Sequence, residues 1–170
     1  MTMIVCGLAD LPRVIAHRRP SHLVTLLDPM TMISTPDGVA PDRHLQLGVN
    51  DISQPAEGMT APQEDLVHRL LAFAQTWDER APMVVHCWAG ISRSTASAFT
   101  LACARSPEAD EAAIAWTLRS LAPHAYPNRR IVALADDLLG RGGRMVDAIT
   151  AIGGNGYSSL GAPFDFSPRH

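Results

Sequence analysis

The chain has few cysteines, and the three that it has lie far apart in the sequence. An odd, scattered set does not indicate a disulfide framework, so we expect reduced thiols in a reducing compartment. The chain also has no apolar run near the ~18 to 20 residues of a membrane span. Its first residues have no charged region followed by an apolar core, as a signal peptide would. These absences predict a cytoplasmic protein with no membrane association.

Long tracts of positive charge are missing as well. The formal net charge is -3, and the pairs Arg18-Arg19 and Arg129-Arg130 are too short to form a basic surface. We therefore expect no nucleic-acid partner. The seven histidines are scattered without the spacing of metal ligands, so we expect no metal and no other cofactor. The expected oligomeric state is a monomer.

Strand and helix signals alternate along most of the chain. With 170 residues, of which 46% are apolar, the chain is long enough for one domain with a real core. Alternation of this kind predicts a single α/β domain with a central, mostly parallel sheet flanked by helices. The predicted elements of the first half are strands at 3–7, 22–27, 44–49 and 83–85, and helices at 11–18 and from about 64 to 77.

The second half is predicted to be largely helical. We predict a helix opened by Ser106-Pro107-Glu108, another opened by Tyr126-Pro127-Asn128, and a short one that ends near Ile152. Residues 1–152 are thus the expected domain. Residues 153–170 are rich in Gly, Ser and Pro, and we expect a loosely ordered tail, in which Phe164 and Phe166 are the residues able to dock on the domain.

One short stretch combines a nucleophile with an anion cradle. An apolar run ending in Val84, Val85 and His86 leads to Cys87, five residues turn, and Arg93 then opens a helix-compatible stretch. A strand, a tight loop and a helix N-terminus suit a phosphate-sized dianion, because backbone N–H groups and the helix dipole point at it.

The same arrangement acts on the sulfur of Cys87. A free thiol titrates near ~8.5, but a helix N-terminus and a nearby arginine lower the value to roughly 3.5 to 7.5, so we expect a thiolate. A thiolate in such a loop can attack phosphorus and form a phosphocysteine that water hydrolyses. The planar fork of Arg93 can hold two equatorial oxygens. Gly90 fits a turn that requires a positive φ, or one in which a side chain would block the anion.

The other two thiols have a simpler interpretation. Cysteine usually behaves as a small buried hydrophobe, and neither Cys6 nor Cys103 has a turn and a cation beside it. We therefore predict core positions for both, and leave open whether either one pairs with Cys87 under oxidation.

The stretch from His86 to Ser94 resembles the signature loop of the cysteine-dependent protein tyrosine phosphatases, in particular their small dual-specificity branch. The resemblance implies a dual-specificity-phosphatase-like fold with Cys87 as nucleophile and Arg93 as phosphate and transition-state binder. It implies that the Ser94 hydroxyl assists breakdown of the phosphoenzyme, although a helix cap is an alternative role. It implies that His86 orients and tunes the cysteine, and that the substrate contacts Trp88, Ala89, Gly90, Ile91, Ser92 and Arg93.

Such chemistry also needs a proton for the leaving group. In the resembling family the general acid is an aspartate that often follows an asparagine, and Asn50-Asp51 matches that pattern, 36 positions before Cys87. The spacing is a few residues longer than the family pattern, and the Trp-Pro-Asp triplet of the classical tyrosine-specific enzymes does not occur. A simple turn is the alternative role for Asp51. Glu57 is the reserve candidate.

The residues of the loop also indicate which substrate it can bind. Trp88 and Ile91 leave Arg93 as the only cation within the loop, which favours a singly phosphorylated substrate. Trp88 either stacks beside the pocket or packs underneath the loop. We expect a protein tyrosine phosphatase acting on a phosphorylated protein or peptide, with dual specificity left open. The alternatives are a phosphate-binding module with little catalysis, a phosphatase of a small metabolite, or sulfur transfer or arsenate reduction by the same thiolate.

Overall fold

The computed structural model describes residues 1–154 and 158–170. Within these residues the chain forms a five-stranded sheet in the order β3-β2-β4-β1-β5. Neighbouring strands among β1 to β4 are parallel, and β5 runs antiparallel to β1. The strands are β1 Met3–Gly7, β2 His22–Leu27, β3 His44–Gly48, β4 Met83–Cys87 and β5 Phe164–Phe166.

Helices cover both faces of the sheet. The larger core cluster lies on the face covered by α2 to α6, and the smaller cluster lies under α1 on the other face. This layering confirms the predicted α/β architecture. The described helices are α1 Leu11–Arg18, α2 Glu64–Gln75, α3 Arg93–Arg105, α4 Glu111–Leu121, α5 Arg129–Leu138 and α6 Arg144–Ala151. None of them has the length and apolar character needed to cross a membrane.

Strand β4 carries the candidate nucleophile to one edge of the sheet. All five of its residues are buried, because β4 lies between β2 and β1 and is covered on both faces. The carboxyl ends of parallel strands meet at the same edge, which is where open α/β sheets bind ligands. Cys87 ends β4 there, next to Asp28, which follows β2, and Leu8, which follows β1.

The start of α4 differs from the prediction. The helix begins at Glu111, and the side chain of Asp110 caps it by accepting a hydrogen bond of 3.1 Å from the Ala112 N–H. Residues 106–109 form a turn instead, closed by the Ala109 N–H and the Ser106 carbonyl. The Ser106 hydroxyl accepts from the His170 backbone N–H, so it does not cap a helix.

The predicted loose tail is wrong for residues 164–166. They form β5, which pairs Phe166 with Met3 at the open edge of β1. Phe166 is fully buried, and Arg18 holds Asp165 through two hydrogen bonds of 2.8 Å each. Pairing removes the unsatisfied backbone groups that an exposed edge would leave. Residues 155–157 of the predicted tail lie outside the described residues.

Candidate active site

The loop between β4 and α3 turns its carbonyl groups away from the cleft. The carbonyls of four of its residues each accept a hydrogen bond from a backbone N–H of a segment outside the loop. Within a trans peptide the C=O and N–H groups point in opposite directions, so the N–H groups that follow these carbonyls face the other side, an arrangement suited to an anion. The pairs are Leu8 to Trp88 at 3.0 Å, Gly161 to Ala89 at 2.8 Å, Tyr126 to Ile91 at 2.9 Å and Asn128 to Ser92 at 3.2 Å.

Gly90 is required by the turn itself. Its φ is +73°, which confirms the predicted left-handed conformation. A Cβ added there would lie 2.7 Å from the Gly7 nitrogen and 2.8 Å from the Cys6 carbonyl carbon. The obstruction therefore comes from the backbone of β1, behind the loop, and not from the space that an anion would take.

Cys87 and Ser94 face each other at the base of this loop. The Cys87 Sγ lies 3.2 Å from the Ser94 Oγ, and both residues are buried, although Cys87 lines the cleft. Helix α3 begins at Arg93, with Ser92 in the N-cap position, so Ser94 does not cap the helix. The structure thus places the hydroxyl beside the sulfur, where it can donate a hydrogen bond to a thiolate.

The Arg93 guanidinium is held along one side only. Its Nη1 donates hydrogen bonds of 2.8 Å to the Asp28 Oδ1 and 2.7 Å to the Val49 carbonyl. Its Nε is buried and has no hydrogen-bond partner among the described residues, and the Asp51 Oδ2 is 4.0 Å from it. A buried donor without a partner costs free energy, so this edge of Arg93 suits a ligand that brings acceptor oxygens.

Sequence reasoning missed the role of Asp28. Residues 28–43 are rich in proline and polar residues, a composition that indicates a loop and gives Asp28 no role of its own. The available signal was topological, since a carboxylate at the carboxyl end of a parallel strand lies at the edge where Cys87 also lies. Asp28 fixes the orientation of Arg93 at this edge.

Asp51 reaches the same cleft as Cys87. Its Oδ1 accepts hydrogen bonds of 2.7 Å from the Ser92 Oγ and 2.8 Å from the Asn128 Nδ2, and its Oδ2 faces the Arg93 guanidinium. Both Asp51 and Asn128 line the cleft. Glu57, the reserve candidate, is exposed and is not among the residues that line it. The fold therefore brings Asp51, and not Glu57, to the loop.

His86 lies beneath the loop in a chain of hydrogen bonds. Its Nδ1 is 3.3 Å from the Cys87 carbonyl and its Nε2 is 2.7 Å from the Thr25 Oγ1. The Thr25 Oγ1 is also 2.8 Å from the His44 Nε2, and the His44 Nδ1 is 3.0 Å from the Thr35 Oγ1. Burial lowers the pKa of His86 to about 4 and also lowers the pKa of His44. Both imidazoles are therefore neutral at pH 7.

The direction of each hydrogen bond in this network follows from the Cys87 carbonyl at its end. A carbonyl only accepts, so the His86 Nδ1 carries the proton and its Nε2 accepts from the Thr25 hydroxyl. That hydroxyl must then accept from the His44 N–H on Nε2, which leaves the His44 Nδ1 to accept from Thr35. The hydrogen-bond network thus fixes one tautomer for each histidine and fastens the Cys87 carbonyl to the core.

The cleft has a volume of about 830 Å³ and a partly aromatic rim. Trp88 lines it and is 57% exposed, so its side chain lies beside the pocket and does not pack underneath the loop. Tyr126 and Met59 are also half-exposed lining residues, and Arg129 adds an exposed cation. Ala89, Ile91 and Ser92 line the cleft from the loop as well, whereas Gly90 does not.

The remaining thiols lie in the core. Cys6 and Cys103 are fully buried, and neither they nor Cys87 form a disulfide. Burial raises the pKa of Cys6 and of Cys103 to about 12, so both are protonated at neutral pH. Across residues 1–154 and 158–170 there is no group of three or more His, Cys, Asp and Glu side chains arranged to hold a metal ion.

The described part of the chain has a dual-specificity-phosphatase-like α/β fold. The chain is similar to the crystal structure of DUSP15, with a TM-score of 0.66 and 13% identity over 88% of this chain and 89% of that one. It is also similar to PTPMT1 in complex with PI(5)P, with a TM-score of 0.57 and 19% identity over 88% and 93% of the two chains. Both belong to the dual-specificity-like members of the cysteine-dependent protein tyrosine phosphatase superfamily. No protein-family model and no curated protein sequence matches the chain.

These comparisons establish the fold. At 13% and 19% identity the similarity is one of architecture, and it confirms the dual-specificity-like fold that the residues from His86 to Ser94 predicted. The chemistry of the site depends on this chain's own residues.

Proposed function

We propose that the protein hydrolyses phosphomonoesters through a phosphocysteine on Cys87, with phosphotyrosine in a protein or peptide as the preferred substrate. The observation that carries the proposal is the Arg93 guanidinium, which is buried, fixed through Nη1, and has a buried Nε without a hydrogen-bond partner in the described part of the chain. A tetrahedral oxyanion would accept hydrogen bonds from the Arg93 Nε and from the loop N–H groups at once. Cys87 stands at the base of the same loop.

In the first step the Cys87 thiolate attacks phosphorus and forms a P–S bond. The bond from phosphorus to the ester oxygen breaks, and that oxygen takes a proton from Asp51 as it leaves. The loop N–H groups and Arg93 hold the equatorial oxygens, where negative charge accumulates.

In the second step water attacks phosphorus on the face that the leaving group vacated. Asp51, now a carboxylate, accepts a proton from that water, and the P–S bond breaks to release inorganic phosphate. The Ser94 hydroxyl, 3.2 Å from the sulfur, donates a hydrogen bond to the departing thiolate. The enzyme returns to its starting state with no net change in protons or electrons.

The preference for phosphotyrosine is supported by the rim of the cleft. Trp88 and Tyr126 expose aromatic surface on which a phenolic ring can stack. Arg93 is the only cation within the loop, and Arg129 is the other basic residue lining the described part of the cleft, so a singly phosphorylated substrate fits the charge available. A small phosphorylated metabolite or lipid is a second candidate, because the structurally similar PTPMT1 was crystallised with PI(5)P.

The proposal is tested with purified protein, an aryl phosphate and a phosphotyrosine peptide. We expect turnover of both by the wild type, no turnover by Cys87→Ser, and turnover by Cys103→Ser, a matched change at a thiol outside the cleft. Turnover by Cys87→Ser would contradict the proposal. Vanadate or phosphate binding by a wild type that turns over neither compound would instead support the phosphate-binding module.

A further inference from the structure

Asn128 caps α5 with its side-chain oxygen. The residue is 4% exposed, and its Oδ1 accepts hydrogen bonds of 3.1 Å from the Arg130 N–H and 3.1 Å from the Ile131 N–H. Since an amide nitrogen cannot accept these bonds, the cap determines which end of the side chain is the oxygen and which is the nitrogen. The NH₂ group must point away from the helix.

That NH₂ group points at Asp51. The Asn128 Nδ2 donates a hydrogen bond of 2.8 Å to the Asp51 Oδ1 and lies 3.4 Å from the Ile52 carbonyl. The Asn128 backbone N–H also donates a hydrogen bond of 3.2 Å to the Ser92 carbonyl, in the loop between β4 and α3. One buried residue thus joins the loop, the segment that carries Asp51 and the N-terminus of α5.

The segment after Asp51 has little else to hold it over the cleft. Residues 53–60 are all exposed. The base of the segment is closed by two bonds between Asn50 and Thr60, at 2.8 and 2.7 Å. Besides Asn128, the Ser92 hydroxyl donates a hydrogen bond to the Asp51 carboxylate, and this hydroxyl is partly exposed and can rotate about its C–O bond.

We propose that Asn128 is a positioning residue for proton transfer: its amide holds the Asp51 Oδ1, so that Oδ2 carries the proton delivered to the leaving oxygen. The inference rests on the proposed function. Asn128 neither gains nor loses a proton, and it acts only through Asp51. A displacement of about 1 Å in a catalytic group can cost up to ~10²-fold in rate, so a fixed carboxylate matters most when the leaving group needs the proton.

Two substitutions separate this role from helix capping. Asn128→Ser keeps a neutral cap acceptor but is too short to reach Asp51, and Asn128→Asp keeps the cap but removes the donor. We measure kcat/KM for a series of aryl phosphates whose phenols range from good to poor leaving groups. The expected loss is about 10-fold or more for the poorest leaving group and small for the best. The matched control is Asp110→Ala, which removes the side-chain cap of α4 and should lower Tm without dependence on the leaving group.

The outcomes are distinct. Equal losses for all leaving groups, or none, would show that Asn128 is only a helix cap and overturn the inference. The double variant Asp51→Asn with Asn128→Ser should lose no more than Asp51→Asn alone, because the amide acts through the carboxylate; a further multiplicative loss would also overturn it. If the wild type turns over no phosphate ester, the proposed function fails as a whole. If Asp51→Asn shows the leaving-group dependence and the Asn128 variants do not, only the role of Asn128 fails.

Discussion

The phosphate loop, taken as residues 87–93 with Cys87 and Arg93 at its ends, and the acid-bearing segment, residues 49–63, face each other across the cleft but are supported differently. The loop rests on buried strands, and four of its carbonyls are bonded by segments from three other parts of the chain. The acid-bearing segment is exposed over residues 53–60, and side-chain donors from Ser92 and Asn128 hold its carboxylate. A loop held by backbone hydrogen bonds thus faces a carboxylate held by two side-chain hydrogen bonds.

This difference assigns two kinds of failure to the site. Damage to the loop should slow every substrate, because each needs the oxyanion contacts. Damage to the acid-bearing segment should slow substrates according to how much their leaving group needs a proton. The following changes test that division, in order of the expected loss of turnover.

The largest loss is expected for Arg93→Lys. Lysine has its donors on one nitrogen, so an ammonium that keeps the Asp28 and Val49 bonds cannot also make the two-pronged contact with an anion. We expect kcat to fall by about 10³-fold for good and poor leaving groups alike. Arg129→Lys, at the rim, is the control and should retain most of the activity. An Arg93→Lys variant that fails only with poor leaving groups would break the division between loop and segment.

Asp51→Asn should give the clearest dependence on the leaving group. The amide keeps the shape of the side chain but cannot donate a carboxylic proton, so we expect losses of ~10² to 10⁴ in kcat with poor leaving groups and much less with activated ones. Steady-state rates on a series of aryl phosphates measure this. Glu57→Gln on the same exposed segment serves as the control. Uniform losses across the series would move the general acid elsewhere.

Gly161→Ala tests the support behind the loop. An added Cβ would lie 2.9 Å from the Gly90 carbonyl oxygen and press against the His124 imidazole. The Ala89 carbonyl, which accepts a hydrogen bond from the Gly161 N–H, should shift. We expect kcat/KM to fall on the order of 10-fold for all leaving groups, and we expect vanadate to bind more weakly. Gly154→Ala, whose added Cβ meets no described residue within 4 Å, should behave as wild type. Unchanged vanadate affinity in Gly161→Ala would show that this contact does not shape the loop.

His86 should affect stability more than turnover. Burial lowers its pKa to about 4 in the folded chain from an unfolded value near ~6.5, so the folded state binds the proton less well. Its contribution is therefore fully present above about pH 6.5 and is lost as the pH falls towards 4, by about 2 kcal/mol between pH 7 and pH 5. Urea unfolding at the two pH values measures the loss, and His86→Asn should show a smaller one. His22 and His44, whose pKa values burial also lowers, supply the remainder. An equal loss in His86→Asn would show that His86 is not the responsible group.

The two regions also differ in how far sequence predicts them. Cys87, Arg93 and Ser94 lie within one short stretch, and the order of strand, turn and helix makes their meeting predictable. The bounds of β1 and β2 were predictable for the same reason, since apolar strands between turn residues have strong local signals.

The supports could not be predicted because they come from distant parts of the chain. Asn128 was identified only as the start of a helix, and nothing local shows that its amide reaches Asp51, 77 positions away. Strand β5 has three residues and forms because β1 offers an open edge, a fact that belongs to the sheet and not to the segment. Asp28 became meaningful only when the order of parallel strands placed it beside Arg93.

The central claim, covalent catalysis by Cys87, is tested most directly by rapid acid quenching during turnover of a phosphotyrosine peptide, followed by mass analysis of the protein. The account predicts one phosphoryl group on the peptide that contains Cys87, more abundant in Ser94→Ala, in which the hydroxyl beside the sulfur is missing, and absent in Cys87→Ser. Steady release of phosphate with no phosphoryl group on Cys87 in either the wild type or Ser94→Ala would contradict the account and indicate direct attack by water.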